Sequence, residues 1–397
     1  MSSPHIPVSR SAPAPPHSIQ RVRTAPARVN LIGEHTDYTG GYVLPIAIPF
    51  YTQATIAPSS DGNFTLRSTL FPEVRTLTPA TLLQPSRDWS DYSVGVLDQL
   101  RSLQIDVPPF VMELSGNVPF GAGLSSSASI EVASCLAMLA LAGQSLSAAQ
   151  ISLLCQRAEN QFVGSPCGVM DQFAVTAAKA GHALLLNTRD LSFDLIPMNI
   201  GDLRDACIVV CNSMVRHSIA DGSYGDRRVE VEAGQQILRQ VYPEIRDLGD
   251  ATLKQLEQTA SRMPAESLKR CRHIISENLR VLRARDILLA GDAVELGKIM
   301  LRAHESQKVD FECSCDEIDF LVDTAASLPG CFGARMTGGG FGGCTVNLVK
   351  CGAVDEFRTA LRHSYHQRFG VTAETYLCTA VDGAMELQAE AALTETL

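Results

Sequence analysis

The segment that most constrains the fold is a glycine- and serine-rich loop that runs directly into a helix of small apolar residues. The loop spans Gly121 to Ser127, and a helical pattern extends from Leu124 to Leu141. Small residues occur on all sides of this pattern, and Gly143 follows it as a helix-terminating residue. We therefore predict a helix that is buried on most sides and that begins at a flexible-backbone loop.

A loop of this kind can bind phosphate, because consecutive backbone N–H groups and the helix dipole both attract an anion. The hydroxyl of Ser127, in the first helical turn, could also bind a metal ion. The alternative is a serine-capped helix after a glycine turn, although three successive serines exceed what capping requires. No Gly-Lys-Ser/Thr follows, so the loop is not a Walker A sequence, and protein-kinase motifs are absent.

The charge and cysteine content narrow the function classes. Lys and Arg number 33 and Asp and Glu 43, which gives a net charge of −10 and argues against nucleic-acid or membrane-surface binding. The N-terminus lacks the apolar core of a secretory signal, and the longest apolar stretch, 130–142, is too short to span a membrane. The 12 scattered cysteines predict reduced, mostly buried thiols and a cytoplasmic protein.

A second polar segment, Arg28-Val-Asn-Leu-Ile-Gly-Glu-His-Thr-Asp-Tyr38, places four polar side chains directly after an apolar run. One interpretation is a capped turn, because Asp and Thr accept backbone N–H bonds. The other is a binding site for a polyhydroxylated ligand, since carboxylates accept strong charge-assisted hydrogen bonds from hydroxyls. Taken alone, the segment leaves both interpretations open.

A third segment, Gly338-Gly-Gly-Phe-Gly-Gly343, matches the spacing of a dinucleotide fingerprint, but the residues from Cys344 to Val349 that follow are typical of a strand rather than a helix. This context argues against a dehydrogenase. Ordering this many glycines on folding costs conformational entropy, which a simple connecting segment does not explain. We therefore expect this backbone to lie against a ligand or another loop.

Two carboxylates lie between these segments: Glu159 on a predicted helix from Ser147 to about Phe162, and Asp171 near the start of the next helix. Each alone is explained by a solvated helix face or a helix dipole. If they converge with Ser127, the set suits Mg²⁺, which needs few protein ligands besides substrate phosphate.

The order of the predicted elements favours an α+β fold. We expect residues 1–20 to be a poorly ordered tail, with an N-terminal domain over 21–200 and a C-terminal domain over 201–397. Strands are predicted over 42–48, 51–56, 63–68, 109–114, 183–187, 206–211, 344–349 and 375–381, and helices over 170–178, 227–241 and 265–289.

Together, the three segments resemble the GHMP kinases, and most closely the branch of that family that phosphorylates galactose. The resemblance extends from about residue 21 to the C-terminus. It implies an N-terminal domain like domain 2 of ribosomal protein S5, a ferredoxin-like C-terminal domain, and an enzyme that transfers phosphate from ATP to the 1-hydroxyl of D-galactose with Mg²⁺. We expect a monomer that binds no nucleic acid or membrane.

The resemblance also implies roles for individual residues. Asp171 is implied as the catalytic base, and Arg28 as the side chain that keeps it ionised and stabilises the transferring phosphoryl group. The residues implied to bind the sugar are Glu34, His35, Thr36, Asp37, Gly168 and Tyr224. The residues implied to bind ATP are Ser68, Trp89, Gly121, Ala122, Gly123, Leu124, Ser125, Ser126 and Ser127, with Ser127 and Glu159 as Mg²⁺ ligands.

The chain departs from the family pattern at two positions: Ala27 replaces the usual Gly before Arg28, and Gly225 replaces the usual Asn after Tyr224. Two other functions stay open at this point. One is a kinase for the 1-hydroxyl of N-acetylgalactosamine or arabinose, and the other is a non-catalytic sensor of galactose and ATP.

Overall fold

The computed structural model describes residues 20–81, 83–119, 121–216 and 223–387. The predicted tail therefore lies, except for Gln20, outside the described residues. The same holds for the side chain of Tyr224.

In its described residues, the first half of the chain contributes eight strands and four α-helices. Its strands are β1 (Arg21–Asn30), β2 (Tyr42–Val43), β3 (Pro45–Pro58), β4 (Phe64–Ser68), β5 (Arg75–Leu77), β6 (Phe110–Gly116), β7 (His182–Asn187) and β8 (Phe193–Pro197). Its helices are α1 (Asp91–Ser102), α2 (Ser126–Ala142), α3 (Ala148–Arg157) and α4 (Met170–Ala177). Strands β2, β7 and β8 form a three-stranded antiparallel sheet.

The second half contributes the remaining elements. Its strands are β9 (Ala206–Arg216), β10 (Cys331–Thr337), β11 (Gly342–Lys350), β12 (Glu374–Cys378) and β13 (Met385–Leu387). Its helices are α5 (Ser223–Val241), α6 (Leu253–Thr259), α7 (Ala265–Ala290), α8 (Ala293–Ser306), α9 (Asp316–Ser327) and α10 (Val354–Phe369). Four of these strands form an antiparallel sheet in the order β10-β11-β9-β12.

The two halves share a sheet and a hydrophobic core. The six-stranded sheet has the order β13-β1-β3-β6-β4-β5, so the last described strand returns to pair with the first. One core cluster joins Val29 of β1 and Ile46 of β3 to Val281 of α7, Met300 of α8 and Val346 of β11. This shared core holds the segments from both halves in a fixed relation, and the α+β prediction is confirmed.

Helix α2 is packed on most sides, as its small residues predict. Ala128, Val132 and Cys135 are fully buried in a second core cluster. Polar residues of α2 are buried as well, notably Glu131, which is 0% exposed. A buried carboxyl in this position is not expected from a helix built for packing alone.

The prediction that the cysteines are reduced is wrong for one pair. Cys207 and Cys351 form a disulfide that joins the start of β9 to the turn after β11. These positions are distant in sequence, with a separation of 144 residues, so spacing could not indicate the pair. The other ten cysteines are free, and most of them are buried.

Within the described ranges, none of the helices has both the length and the apolar character that a membrane span requires.

Candidate active site

The loop before α2 uses its glycines and one serine to adopt a left-handed backbone. Gly121, Gly123 and Ser125 have φ of 69°, 74° and 62°. For Ser125 this conformation is strained, because a Cβ atom disfavours positive φ. Its side chain makes no capping hydrogen bond to α2 and instead donates to Asp171 at 2.6 Å. The serine-cap alternative therefore does not describe Ser125.

Asp171 is the point at which three segments meet. Arg28 holds its carboxylate with two hydrogen bonds, from Nε to Oδ1 at 2.8 Å and from Nη2 to Oδ2 at 2.6 Å. The Nη1 group of Arg28 donates to the carbonyl of Gly123 at 2.8 Å. A bidentate Arg–carboxylate pair fixes both position and plane. Arg28 thus ties Asp171 to the loop at the start of α2.

Glu34 lies in the same region and is almost completely buried. Its carboxylate accepts hydrogen bonds from Asn30 Nδ2 at 2.5 Å, from Arg335 Nη1 at 3.3 Å and from the backbone N–H of Gly338 at 2.8 Å. Burial raises the pKa of Glu34, and Arg335 opposes that effect. Residues from both halves of the chain therefore set the orientation of this carboxylate.

Asp37 lies against Gly168. A Cβ atom built on Gly168 would meet Asp37 Oδ2 at 1.9 Å, so only glycine allows this approach. Burial raises the pKa of Asp37 to about 7, and the nearby carboxylates of Asp171 and Glu34 add to the increase. These side chains, together with Arg28, line one small cleft.

The other predicted sugar-binding residues are placed differently. His35 lines the cleft with a positive φ of 65°, its ring stacks on Phe311 at 4.0 Å, and burial lowers its pKa well below the usual value. The hydroxyl of Thr36 lies within hydrogen-bond distance of the carbonyls of Gly33 and Tyr42, at 2.9 Å and 2.6 Å. Thr36 therefore stabilises the turn and does not line the cleft.

Glu159 is presented by an irregular helix. Helix α3 ends at Arg157, before the predicted Phe162, and continues as a π-helical turn over Ala158–Val163. Such turns often occur at functional sites because they redirect side chains. The carboxyl of Glu159 accepts a hydrogen bond from Gln172 Nε2 at 2.7 Å, and the hydroxyl of Ser127 lies near enough to favour its ionised form. Burial, with the charge of Asp171, raises the pKa of Glu159 to about 7.

Two further members of this cluster, Gln172 and Glu131, were not predicted from the sequence. Gln172 Nε2 also donates to Glu131 Oε2 at 3.1 Å, and both side chains are 0% exposed. Burial and the charge of Glu159 raise the pKa of Glu131 well above its usual range. A carboxyl inside the most apolar predicted helix was the available signal, because such a position requires a polar partner.

The glycine segment from Gly338 to Gly343 connects β10 to β11, so strands lie on both sides of it, as expected for a segment that is not a dinucleotide fingerprint. It lies against the loop before α2. A Cβ on Gly338 would contact Gly123 O at 3.4 Å, and the thiol of Cys344 lies 2.9 Å from Ala122 O. The expectation that this backbone lies against another loop is confirmed.

A larger cavity of about 810 Å³ adjoins the start of α2. Ser68, Trp89 and Ser126 line it, together with Phe71, whose ring is nearly parallel to that of Trp89 at a centroid distance of 6.2 Å. Apolar side chains such as Leu70 and Ile130 form much of the remaining wall. Aromatic and apolar walls of this kind suit a planar base.

Comparison with known proteins agrees with this geometry. The sequence profile described as GHMP kinases N terminal domain matches residues 91–179, and that described as GHMP kinases C terminal matches residues 284–367. The profile of the galactokinase galactose-binding signature matches residues 15–58. The chain therefore belongs to the GHMP kinases, and its fold is the two-domain fold of that family.

Similarity to individual proteins identifies a smaller group within this family. The galactokinase of Roseiflexus sp. (strain RS-1) is 40% identical over 368 residues, which cover 93% of this chain and 92% of that protein. Human galactokinase is 38% identical over 377 residues, with 92% and 91% covered. Within the GHMP kinases, the chain belongs to the galactokinases, and it is a sugar kinase.

Solved structures support the same assignment. The crystal structure of Lactococcus lactis galactokinase complexed with galactose has a TM-score of 0.89 at 30% identity and covers 93% of this chain and 95% of that chain. Methanococcus jannaschii mevalonate kinase, with a TM-score of 0.65 at 18% identity over 92% of this chain and 100% of that chain, shares the fold.

Proposed function

We propose that this chain transfers the γ-phosphoryl group of ATP to the 1-hydroxyl of D-galactose, with Asp171 as the catalytic base. The observation that carries the proposal is the position of the Asp171 carboxylate. It lies between the polar cleft and the loop that begins α2, and Arg28 and Ser125 hold it there. Positioning is the main requirement in phosphoryl transfer, since there is little covalent chemistry for the protein to perform.

Galactose binds in the small cleft. The carboxylates of Glu34 and Asp37 accept hydrogen bonds from sugar hydroxyls, while His35 and the backbone at Gly168 complete the wall. Because Arg335, Asn30 and Gly338 already fix Glu34, the sugar meets a preorganised acceptor. Tyr224 remains a proposed sugar contact that lies outside the described side chains. The 1-hydroxyl is directed toward Asp171, whose carboxylate can accept its proton.

ATP binds across the larger cavity and the loop before α2. The base occupies the space beside Trp89 and Ser68, and the phosphates approach the backbone N–H groups of Gly121–Ser127 at the positive end of α2. Arg28 lies between this loop and Asp171, where its charge stabilises the phosphoryl group during transfer.

Mg²⁺ fits the residues present at the start of α2. Glu159 is a nearly buried carboxylate beside the hydroxyl of Ser127, and one carboxylate ligand with a hydroxyl suits a cation that takes its other ligands from water and phosphate. Among the described residues, no group of three or more His, Cys, Asp or Glu side chains could hold a metal by itself. When bound, Mg²⁺ neutralises charge on the phosphates.

The test is ADP release by the protein with Mg-ATP and each of galactose, N-acetylgalactosamine, arabinose and glucose. We expect release with galactose above all. Asp171→Asn should reduce turnover by roughly 10²–10⁴-fold while retaining galactose binding, because the amide keeps the size of the side chain but cannot act as a base. The exposed Asp106→Asn is the matched control. Wild-type turnover by Asp171→Asn would exclude Asp171 as the base.

A further inference from the structure

Gln172 directly follows Asp171 on α4, yet its side chain has different partners. Its Nε2 group donates to two carboxylates, to Glu159 Oε2 at 2.7 Å and to Glu131 Oε2 at 3.1 Å. Gln172 and Glu131 are 0% exposed, and Glu159 is 6% exposed. One amide group therefore links two buried carboxyl groups.

Helix α2 presents Glu131 and Ser127 to the same neighbour. The two residues are four positions apart, which places them on one face of the helix, one turn above the other. The hydroxyl of Ser127 lies near the carboxyl of Glu159, and Glu131 is linked to Glu159 by hydrogen bonds through Gln172. The hydrogen-bonded link from α2 to Glu159 therefore runs through Glu131 and Gln172.

Stability does not account for this arrangement. Oε1 of Glu131 and Oε1 of Gln172 are buried and have no hydrogen-bond partner within the described part of the chain. A buried polar group with an unsatisfied atom costs free energy, and a well-packed apolar residue of similar volume is often at least as stable. A positional role would explain why such side chains occupy the interior of an otherwise apolar helix.

The chemistry of an amide supplies that role. Gln172 carries a carbonyl at one end of its amide and an NH₂ group at the other, and only the NH₂ group can donate. With a carboxyl oxygen of Glu131 on one side and of Glu159 on the other, the NH₂ group must face both. Without Glu131, one of these two acceptors is lost, and the amide and the carboxylate of Glu159 gain rotational freedom.

We propose that Glu131 and Gln172 are positioning residues that fix the carboxylate of Glu159 for a divalent cation. This inference rests on the proposed function, since it takes Glu159 and Ser127 as the cation ligands. Neither Glu131 nor Gln172 would touch the cation or the substrates. Residues that orient a metal ligand in this way typically contribute 10- to 100-fold to metal affinity.

The test measures Mn²⁺ binding to the complex of the full chain with ADP, by electron paramagnetic resonance of free Mn²⁺. Glu131→Met removes the acceptor at similar volume and should weaken Mn²⁺ binding by about 10- to 100-fold. Glu131→Gln keeps a carbonyl oxygen that can accept from Gln172, so Mn²⁺ binding should stay close to that of the wild type. Gln172→Met breaks the link from its other end and should resemble Glu131→Met.

A second readout separates positioning from general damage. Trp89 is the only tryptophan in the sequence and lines the larger cavity, so its fluorescence reports ADP binding without metal. We expect metal-free ADP affinity to stay unchanged in all three variants. Ser134→Ala is the control, because Ser134 is another buried polar residue of α2, hydrogen-bonded to Ser93 and not to the cluster. It should leave Mn²⁺ binding unchanged.

Several outcomes would overturn the inference. Wild-type Mn²⁺ affinity in Glu131→Met, equal losses in Glu131→Gln and Glu131→Met, or a parallel loss of metal-free ADP binding would each do so. Glu159→Gln separates the two proposals. If it loses Mn²⁺ while Glu131→Met retains it, only the positioning role fails. If Glu159→Gln retains Mn²⁺, the cation role of Glu159 fails as well, and the positioning role with it.

Discussion

At the scale of single residues, the site depends on carboxyl groups whose surroundings set their protonation. Asp37 and Glu159 both have pKa values raised to about 7, chiefly by burial. Asp171 lies within the same cluster but carries a bidentate arginine and a serine hydroxyl. The three carboxyls therefore differ in their surroundings, and the proposed roles of Asp37 as a sugar ligand and of Asp171 as a base rest on that difference.

The ionised form of Asp37 should lower the free energy of unfolding. The folded state binds the proton of Asp37 more tightly than the unfolded state, so the stability of the wild type falls as pH rises from about 4 to about 7. Asp37→Asn lacks this loss and should be more stable above pH 7, by at most about 4 kcal/mol. Urea unfolding at pH 4 and pH 8 measures the difference. A stabilisation of equal size at both pH values would contradict the prediction.

Gly168 should be needed for sugar binding. The Cβ atom of Gly168→Ala would meet Asp37 Oδ2 at 1.9 Å and force the carboxylate away. Overpacking of this kind costs about 1–3 kcal/mol, and we expect galactose affinity to fall roughly tenfold or more by isothermal titration calorimetry. Gly352→Ala is the control, since nothing lies within 4 Å of its Cβ. Unchanged affinity in Gly168→Ala would show that the approach of Asp37 is unimportant.

At the scale of elements, local patterns predicted helices well. The helical spacing from Leu124 to Leu141 corresponds to α2, and the helix predicted to start at Ser147 corresponds to α3, which a capping box of Ser147 and Gln150 opens. The strands were predicted less accurately than the helices. The separate predictions over 42–48 and 51–56 correspond mainly to one strand, β3, because β1 pairs with it on both sides of Pro49, with a register shift at Pro49 and Phe50. Sheet pairing is a long-range property that a local pattern does not contain.

The glycine segment between β10 and β11 should be sensitive to a single methyl group. Gly340 has a φ of 89°, and its Cβ would lie 2.5 Å from the carbonyl of Cys313. Gly340→Ala should shift the segment against the loop before α2 and weaken ADP binding, followed by Trp89 fluorescence. Gly370→Ala, with a φ of 71° and no neighbour within 4 Å, tests backbone strain alone and should leave ADP affinity unchanged. Equal effects in the two variants would count against the loop contact.

At the scale of the whole molecule, the site exists only because distant segments converge. The sequence motifs indicated the Arg28–Tyr38 segment, the loop and Asp171, but not the residues that support them. Arg335 donates to Glu34, and Glu277 accepts a hydrogen bond from the backbone N–H of Gly33 at 2.8 Å. Both residues are far along the chain and carry no local signal. Burial alone would raise the pKa of Glu277, but the charges of Arg280 and Arg335 lower it to about 2. The predicted boundary near residue 200 stays a prediction, since one core and one sheet extend across it.

Arg335 is the side chain through which this convergence can be tested. It is 0% exposed and lies 3.3 Å from Glu34 and 3.8 Å from Glu277. Arg335→Met leaves two buried carboxyls without this partner, and removing one member of a buried ion pair costs about 3–5 kcal/mol. The partly exposed Arg285, paired with Asp286, is the matched control, and Arg285→Met should change stability by no more than about 1 kcal/mol.

The pH dependence of that deficit identifies its cause. Burial already raises the pKa of Glu34, and loss of Arg335 removes the main effect that lowers it. A carboxyl with a raised folded-state pKa destabilises the protein above that pKa, and the destabilisation disappears as pH falls and the group takes up a proton. The deficit of Arg335→Met should therefore be smaller in urea unfolding at pH 5 than at pH 8. If the deficit is the same at both pH values, it arises from lost packing, and the charge of Arg335 does not hold Glu34 in the proposed sugar-binding cleft.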